Sequence, residues 1–544
     1  MSLLIKNANI STMDEANPKA EAAVVTGKYF AYVGTEAGAR EYIAAHDDKE
    51  TYEEVDCGGQ LLIPGFNDSH LHFLHYVKTC IHVDLVGCKS LKECLGRMAE
   101  AWKTFNTKDG LWFVGEGWNQ DYFEDEKRFP TRWELDEITA DWPIMIQRTC
   151  GHVGILNSKA LELFDMSTGE GFKYKQYADK DANGELNGCI KENLFDYFKT
   201  TLPAPKLDKL MDLMEQHQYD LFAKGVTSVQ SDEGNYAPAG EYHNLQNLMR
   251  ERSEKGSFKL RLSSQMLYFN KEKMQWAFEN GYTKDFGNDT VKIGATKLLV
   301  DGSLGARTAL MRKPYADDPS VIGLSLWDQE GLNEMVLISH KQNIPVAVHA
   351  IGDGAVEMVI NAVENARKAC PHLNPRHTVV HSQVTDRAML ERMKALDISV
   401  MVQPIFIDYD MHVIYDRVGK EMAESSYVWK WYKDMGIHMS FGTDCPVESF
   451  DPMQGLYCAV TRLAKNGDGP YLPEQALSVG DAIYAYTAES AWNTGDEELK
   501  GKIKSGMLAD FITVDRDLYE IDPKDILNAK VTKTYIGGEK VFEA

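Results

Sequence analysis

The chain predicts an α/β fold: a (β/α)8 barrel, a small composite β-sandwich made from both termini, and a subdomain inserted after the first barrel strand. Three observations lead there. Eight short apolar strand candidates alternate with longer helical stretches, which implies parallel pairing and a barrel that can close. Both ends of the chain have the texture of antiparallel sheet. Residues 73–224 separate the first two strand candidates, far too many for a single crossover helix.

The termini come first. Residues 3–60 read as short β-type runs (LLIKNANIST, AAVVTGKYFAYVG, TYEEVDCGGQL) with a helical stretch near 36–46 and Gly27, Gly34, Gly58 and Gly59 at the turns. The last stretch repeats that texture in GMLADFITVDRDLY and VTKTYIGGEKVFEA, with Gly537-Gly538 as a hairpin turn. Neither piece makes a domain alone, so residues 1–60 and 500–544 are expected to pair into one sandwich, leaving 61–499 for the barrel.

The barrel strand candidates fall at 61–70, 225–231, 259–267, 295–300, 345–349, 378–382, 398–404 and 438–443, with helical patterns such as GAVEMVINAVENARKAC and DRAMLERMKAL between the later ones. A helix near 90–105 follows the first strand, and 110–200 is the insert. It holds Trp112, Trp118, Trp133 and Trp142. Such aromatic density suits either a compact core or the wall of a substrate cleft. An open doubly wound sheet is the main alternative to the barrel.

Composition narrows the class. The 544 residues are 44% hydrophobic and 10% aromatic, enough for a sizeable core. A net charge of −24, from 58 basic and 82 acidic residues, leaves no basic excess to displace counterions from a nucleic acid. The nine cysteines form no C-x-x-C pair and read as reduced thiols. No apolar run reaches the ~18–20 residues that span a bilayer, and the first residues lack a secretory pattern. The expectation is a soluble, cytoplasmic protein with no nucleic-acid or membrane partner; a homodimer is the base-rate expectation for assembly.

The chemistry sits at the strand ends. The first candidate closes in LLIPGFNDSHLHFLH, where His70 and His72, two apart, aim at one point from an extended strand. Alone, His-x-His is a weak metal signal. Lys297 lies in the fourth candidate, His349 ends the fifth, His381 the sixth, and Asp444 follows the eighth. In a parallel barrel these ends share one face, so six side chains from distant positions should converge. Taken singly, His349 and His381 could be packed core histidines and Asp444 a turn cap. Lys297 resists a structural excuse, because a buried ammonium must be paired, neutral or modified.

The motifs PGFNDSHLH, GEGWNQ, GHVGILNSKAL, GVTSVQ, TKLLVDGSLGARTAL, VAVHAIGDGA, HSQ and FGTDCPVES together resemble the amidohydrolase superfamily of metal-dependent hydrolases, in the subgroup that includes N-substituted formamide deformylase. The resemblance spans essentially the whole chain; DGSLGARTAL and HAIGDGA are its most specific parts. It implies a TIM-type barrel with a binuclear centre. His70 and His72, helped by Asp444, would bind one divalent metal, most suitably zinc, and His349 and His381 a second. Lys297 matches the position of a carboxylated lysine, whose CO2-derived carbamate bridges the ions. The implied activity is hydrolysis of a non-peptide carbon–nitrogen bond of amide or N-formyl type, with Asp444 moving the proton. His152 and Arg307 are the candidates to hold the small-molecule substrate; Arg307 could equally sit in a structural ion pair. Asp301 would cap the loop after the fourth strand, while Gln120 and Glu192 would line the pocket. Two other readings stay open: a mononuclear deaminase of a cyclic amidine, and a barrel scaffold without metal. The deaminase pattern wants a glutamate after the fifth-strand histidine, where this chain has Ala350, Ile351 and Gly352.

Overall fold

A computed structural model describes residues 2–46, 52–164, 169–238 and 240–544. The chain forms two compact units: 1–73 with 214–237 and 242–544, and 74–213 with 238–241.

In the larger unit an eight-stranded all-parallel sheet runs in chain order: β1 (Phe66–Leu71), β2 (Val226–Ser231), β3 (Arg261–Leu267), β4 (Val291–Leu299), β5 (Val346–Ala350), β6 (Thr378–His381), β7 (Ser399–Val402) and β8 (Met439–Phe441). All eight expected strands are present. The strands are buried almost end to end, as a barrel wall covered by helices requires. The helix Asp353–Ala369 buries Val356, Val359, Ile360, Val363 and Ala366, a stripe of period near 3.6. Arg387–Ala395 starts where the Asp386 carboxylate accepts from Met389 N–H.

β1 and β8 close the barrel through their ends rather than through a ladder. Asp444 N–H donates to His70 O (2.8 Å) and His72 N–H to Cys445 O (2.8 Å). The buried Asp68 carboxylate accepts from Thr443 N–H (3.1 Å), Thr443 Oγ1 (2.5 Å) and His70 N–H (3.1 Å). Gly442 is required at this seam, since a Cβ there would stand 2.6 Å from His70 N and 2.9 Å from Asp68 Oδ1.

The segment expected as one strand at 61–70 is two. Leu61–Pro64 pairs antiparallel with Phe511–Val514 and parallel with Asn9–Ser11, inside a six-stranded sheet that also holds Lys19–Ala20, Val531–Ile536 and Glu539–Glu543. Only after Gly65 does the chain enter the barrel. A second sheet of four strands joins Ser2–Lys6, Ala22–Thr26, Tyr29–Gly34 and Tyr52–Asp56. Leu3, Ile5, Val25, Phe30, Leu62 and Phe511 share one core, so strands from both termini form the composite sandwich.

The smaller unit is built on a six-stranded mixed sheet between Val83 and Lys191 and extends beyond the 110–200 expected for the insert, taking in the helix Leu91–Trp102. Trp118 is fully buried in its core beside Phe123 and Ile146, and Trp112 and Trp142 pack against its clusters, whereas Trp133 is 39% exposed. For three of the four tryptophans, core packing therefore accounts for the aromatic density. Among the described residues, no helix is long and apolar enough to cross a membrane.

Candidate metal centre

At the C-terminal ends of the barrel strands the imidazoles of His70, His72, His349 and His381 form a chain of edge-to-face contacts. Ring centroids are 5.1 Å apart for His70–His72, 5.5 Å for His70–His381 and 4.5 Å for His349–His381. Asp444 Oδ1 lies 3.3 Å from His70 Nε2 and 3.1 Å from His72 Nε2. Lys297 Nζ is 3.1 Å from His70 Nε2. One donor atom each from His70, His381 and Asp444 falls within 4.8 Å of the others. That tightest trio draws on both of the metal sites expected from the sequence. Two of the three carriers sit in left-handed backbone, His381 at φ 77° and Asp444 at φ 60°. Such conformations cost about 1–3 kcal/mol each and persist only where the surroundings hold them.

Each ring is locked by an acceptor on its far side. His70 Nδ1 faces Gln265 Oε1 (2.8 Å) and His381 Nδ1 faces Gln403 Oε1 (2.7 Å). The amides are themselves oriented, because Gln265 Nε2 donates to Ser69 O and Gln403 Nε2 to Met401 O. His72 Nδ1 faces Asp232 O (3.1 Å), and His349 Nε2 faces Gly302 O (3.0 Å). A carbonyl oxygen only accepts, so the nitrogen against it carries the proton and the other presents a lone pair. The lone pairs of His70, His72 and His381 at Nε2, and of His349 at Nδ1, are thus left to the site.

The charge states of His70, His349 and His381 agree with that geometry. Burial, helped by Lys297, pushes His70 down to about 3 and His349 to about 4; burial and His349 drive His381 well below the usual imidazole value. Burial also lowers His72, but Asp444 overcomes it and raises that ring. Asp444 is opposed by burial yet held well below the carboxylate range by His70 and His72. Burial pulls the Lys297 ammonium down to about 8, against the carboxylates of Asp232 and Asp444. Asp444 Oδ1 is buried and accepts no hydrogen bond. Imidazole lone pairs converging on an orphaned carboxylate oxygen suit a divalent cation, since acceptors facing acceptors otherwise repel.

The other expected residues lie as follows. Arg307, at φ 56°, is engaged by Asp317 through Nε–Oδ1 (3.0 Å) and Nη2–Oδ2 (2.8 Å), and Arg417 binds the same carboxylate. Asp301 accepts backbone N–H groups from Leu310, Ile351 and Gly352, the capping task expected of it, with Oδ1 3.4 Å from His349 Nε2. Gly352 is needed at this turn because a Cβ would meet Leu310 O at 2.0 Å. His152, Glu192 and Gln120 belong to the inserted unit. There His152 Nδ1 lies 3.7 Å from Glu192 Oε2, both side chains well exposed, and Gln120 Oε1 accepts from Arg148 Nε (2.8 Å).

Sequence reasoning missed Gln265, Gln403, Asp232 and Asp68. All four lie in barrel strands or immediately after them, the same positional rule that selected the histidines; their amide and carboxylate types gave no further signal.

The fold is that of metal-dependent hydrolases. The crystal structure of an uncharacterized metal-dependent hydrolase from Pyrococcus furiosus matches with a TM-score of 0.76 at 27% identity, covering 96% of this chain and 100% of that one. One from Pyrococcus horikoshii OT3 gives 0.75 at 28%, covering 96% and 99%. The Amidohydrolase family matches residues 53–542, and the chain belongs to that family. YtcJ of Bacillus subtilis (strain 168), which carries an amidohydrolase name, is 31% identical over 98% of each chain. N-substituted formamide deformylase of Arthrobacter pascens is 24% identical over 99% of this chain and 98% of its own.

Proposed function

We propose that the chain hydrolyses a non-peptide carbon–nitrogen bond of amide or N-formyl type, using divalent metal held at the C-terminal end of the barrel. The observation that carries this reading is the approach of His70, His381 and Asp444 donor atoms to within 4.8 Å of one another, with each of the four imidazoles held by an acceptor behind it. His70, His72 and Asp444 would hold one ion, and His349 and His381 a second. Lys297, with its amine partly neutral near pH 8, would on adding CO2 and losing one proton become a carbamate, an anionic oxygen ligand suited to divalent metal. Bound Zn²⁺, or Mn²⁺, Fe²⁺ or Co²⁺ in its place, would supply Lewis acidity, polarising a carbonyl and lowering the pKa of water to about 7.

The chain's own groups do the rest. Asp444, ionised and adjacent to two imidazoles, takes the proton of the attacking water and returns it to the departing amine. The barrel seam through Asp68 and Thr443 keeps Asp444 rigid against His70 while that proton moves. Arg307 is disfavoured for holding the substrate, because its guanidinium fork is already filled by Asp317. The relatedness to N-substituted formamide deformylase supports an N-formyl substrate.

Purified protein should be tested against N-formyl and N-acyl amines and against cyclic amidines, with free amine or ammonia as the readout. Amine release from the amides, lost on chelation, is the expected result. Ammonia release from ring amidines alone would overturn the reading in favour of a deaminase.

A further inference from the structure

We propose that the larger unit carries a second small-molecule site, remote from the metal centre and selective for an amphipathic amine. It is a cavity of about 660 Å3 that Ile437, His438 and Met439 line where the chain enters β8. Asp444 follows the other end of that strand, so the cavity opens at the opposite end of the barrel from the candidate metal centre. Its far wall comes from the terminal sandwich, through Asn9, Ser11 and Leu61. The volume lies within the range of about 300–1,000 Å3 found for ligand pockets.

The body of the cavity is apolar and aromatic: Leu61, Met439 and Ala485 with the rings of Tyr484 and Tyr519. The two phenols are placed for an amphipathic guest, and Tyr519 Oη is held by Ser11 Oγ at 2.8 Å. Its charged lining is lopsided. Asp14, Glu15, Asp481, Glu489, Asp517 and Glu520 face only Lys19 and Lys433. Lys433 is taken by Asp481 (2.6 Å), Glu489 bonds His438 (2.9 Å), and Asp517 accepts from Asn9 (2.6 Å). Asp14, Glu15 and Glu520 make no ion pair among the described residues, against one uncommitted lysine. The acidic lining is felt at the wall: after burial, Glu489 and then the unpaired Glu15 and Asp14 push the Tyr484 phenol above its usual value. A flat apolar body would leave water against these side chains while a cationic head meets the unpaired carboxylates. An anionic head would be repelled there.

The metal-loaded enzyme should be titrated calorimetrically with tryptamine, a cation with a flat ring, and with indole-3-acetate, an anion of similar shape. Tryptamine should bind and indole-3-acetate should bind at least about tenfold more weakly. Ala485→Trp, which fills the cavity, should weaken tryptamine by about tenfold or more, and Glu15→Gln with Glu520→Gln should weaken it while leaving the neutral analogue 3-methylindole unchanged. Absent tryptamine binding, equal binding of cation and anion, or tryptamine affinity unaltered by either variant would overturn the proposal. If circular dichroism shows Ala485→Trp to be unfolded, the paired glutamine variant and the anion comparison still decide it.

Discussion

Gln265 Oε1 lies 2.8 Å from His70 Nδ1, and that contact determines which nitrogen of the ring faces the mouth of the barrel. Replacing the amide by a hydrocarbon of similar volume would leave His70 in place but free its tautomer and orientation. Gln265→Leu is expected to lower metal affinity about 10–100-fold, the usual loss when the partner behind a histidine ligand is removed. Gln403→Leu should do the same through His381. Competition with a metallochromic chelator measures it, and unchanged affinity in both variants would show that the histidines are not ligands.

Lys297 offers a sharper contrast. Lys297→Arg keeps a cation yet cannot form a carbamate, while Lys297→Ala removes both. If the carbamate bridges two ions, both variants should lose about one equivalent of metal and at least about 100-fold in kcat. Retention of metal and activity by the arginine variant would remove the bridging role.

Arg307 and Asp317 form a bidentate pair, and their variants should therefore behave alike. Arg307→Ala and Asp317→Ala are expected to give similar, non-additive changes in KM and stability. A loss of kcat/KM in Arg307→Ala that far exceeds the loss in Asp317→Ala would instead place the guanidinium on the substrate.

A pH effect on stability should come from a group remote from the metal centre. Fully buried His377 accepts Val346 N–H at Nδ1 (3.1 Å) and faces His340 Nδ1 through Nε2 (2.8 Å), while His340 Nε2 donates to Cys370 O (3.2 Å). Burial, then His340 and Arg367, hold His377 well below its usual value of 6.5. The unfolded chain takes up a proton below that value and the folded chain refuses it, so this contribution to stability is present above pH 6.5 and is lost as the pH falls. Its slope is at most about 1.4 kcal/mol per pH unit. Urea midpoints measured downward from neutral pH should fall more steeply for the parent than for His377→Gln. Equal slopes would contradict the account.

Much of this molecule was legible because strand ends are marked in sequence. His349, His381 and Asp444 each close a short apolar run, and parallel pairing alone brings such ends to one face. The break at Pro64-Gly65 was visible too, but not its meaning, because continuing apolar residues hide that Leu61–Pro64 pairs with Phe511–Val514. The glutamines behind the histidines could not be read. Their role depends on which strand neighbours which, and on side-chain reach across the barrel, neither of which leaves a periodicity. Arg307 was ambiguous for the same reason, since its partner Asp317 lies ten residues on in a loop.

The central claim is that these six residues form a metal centre, and elemental analysis of the purified chain after growth with zinc or manganese tests it most directly. About two equivalents of metal are expected, with a carbamate mass or density on Lys297. Under about half an equivalent would contradict it, because lone pairs directed at an orphaned Asp444 oxygen would then have no cation to meet.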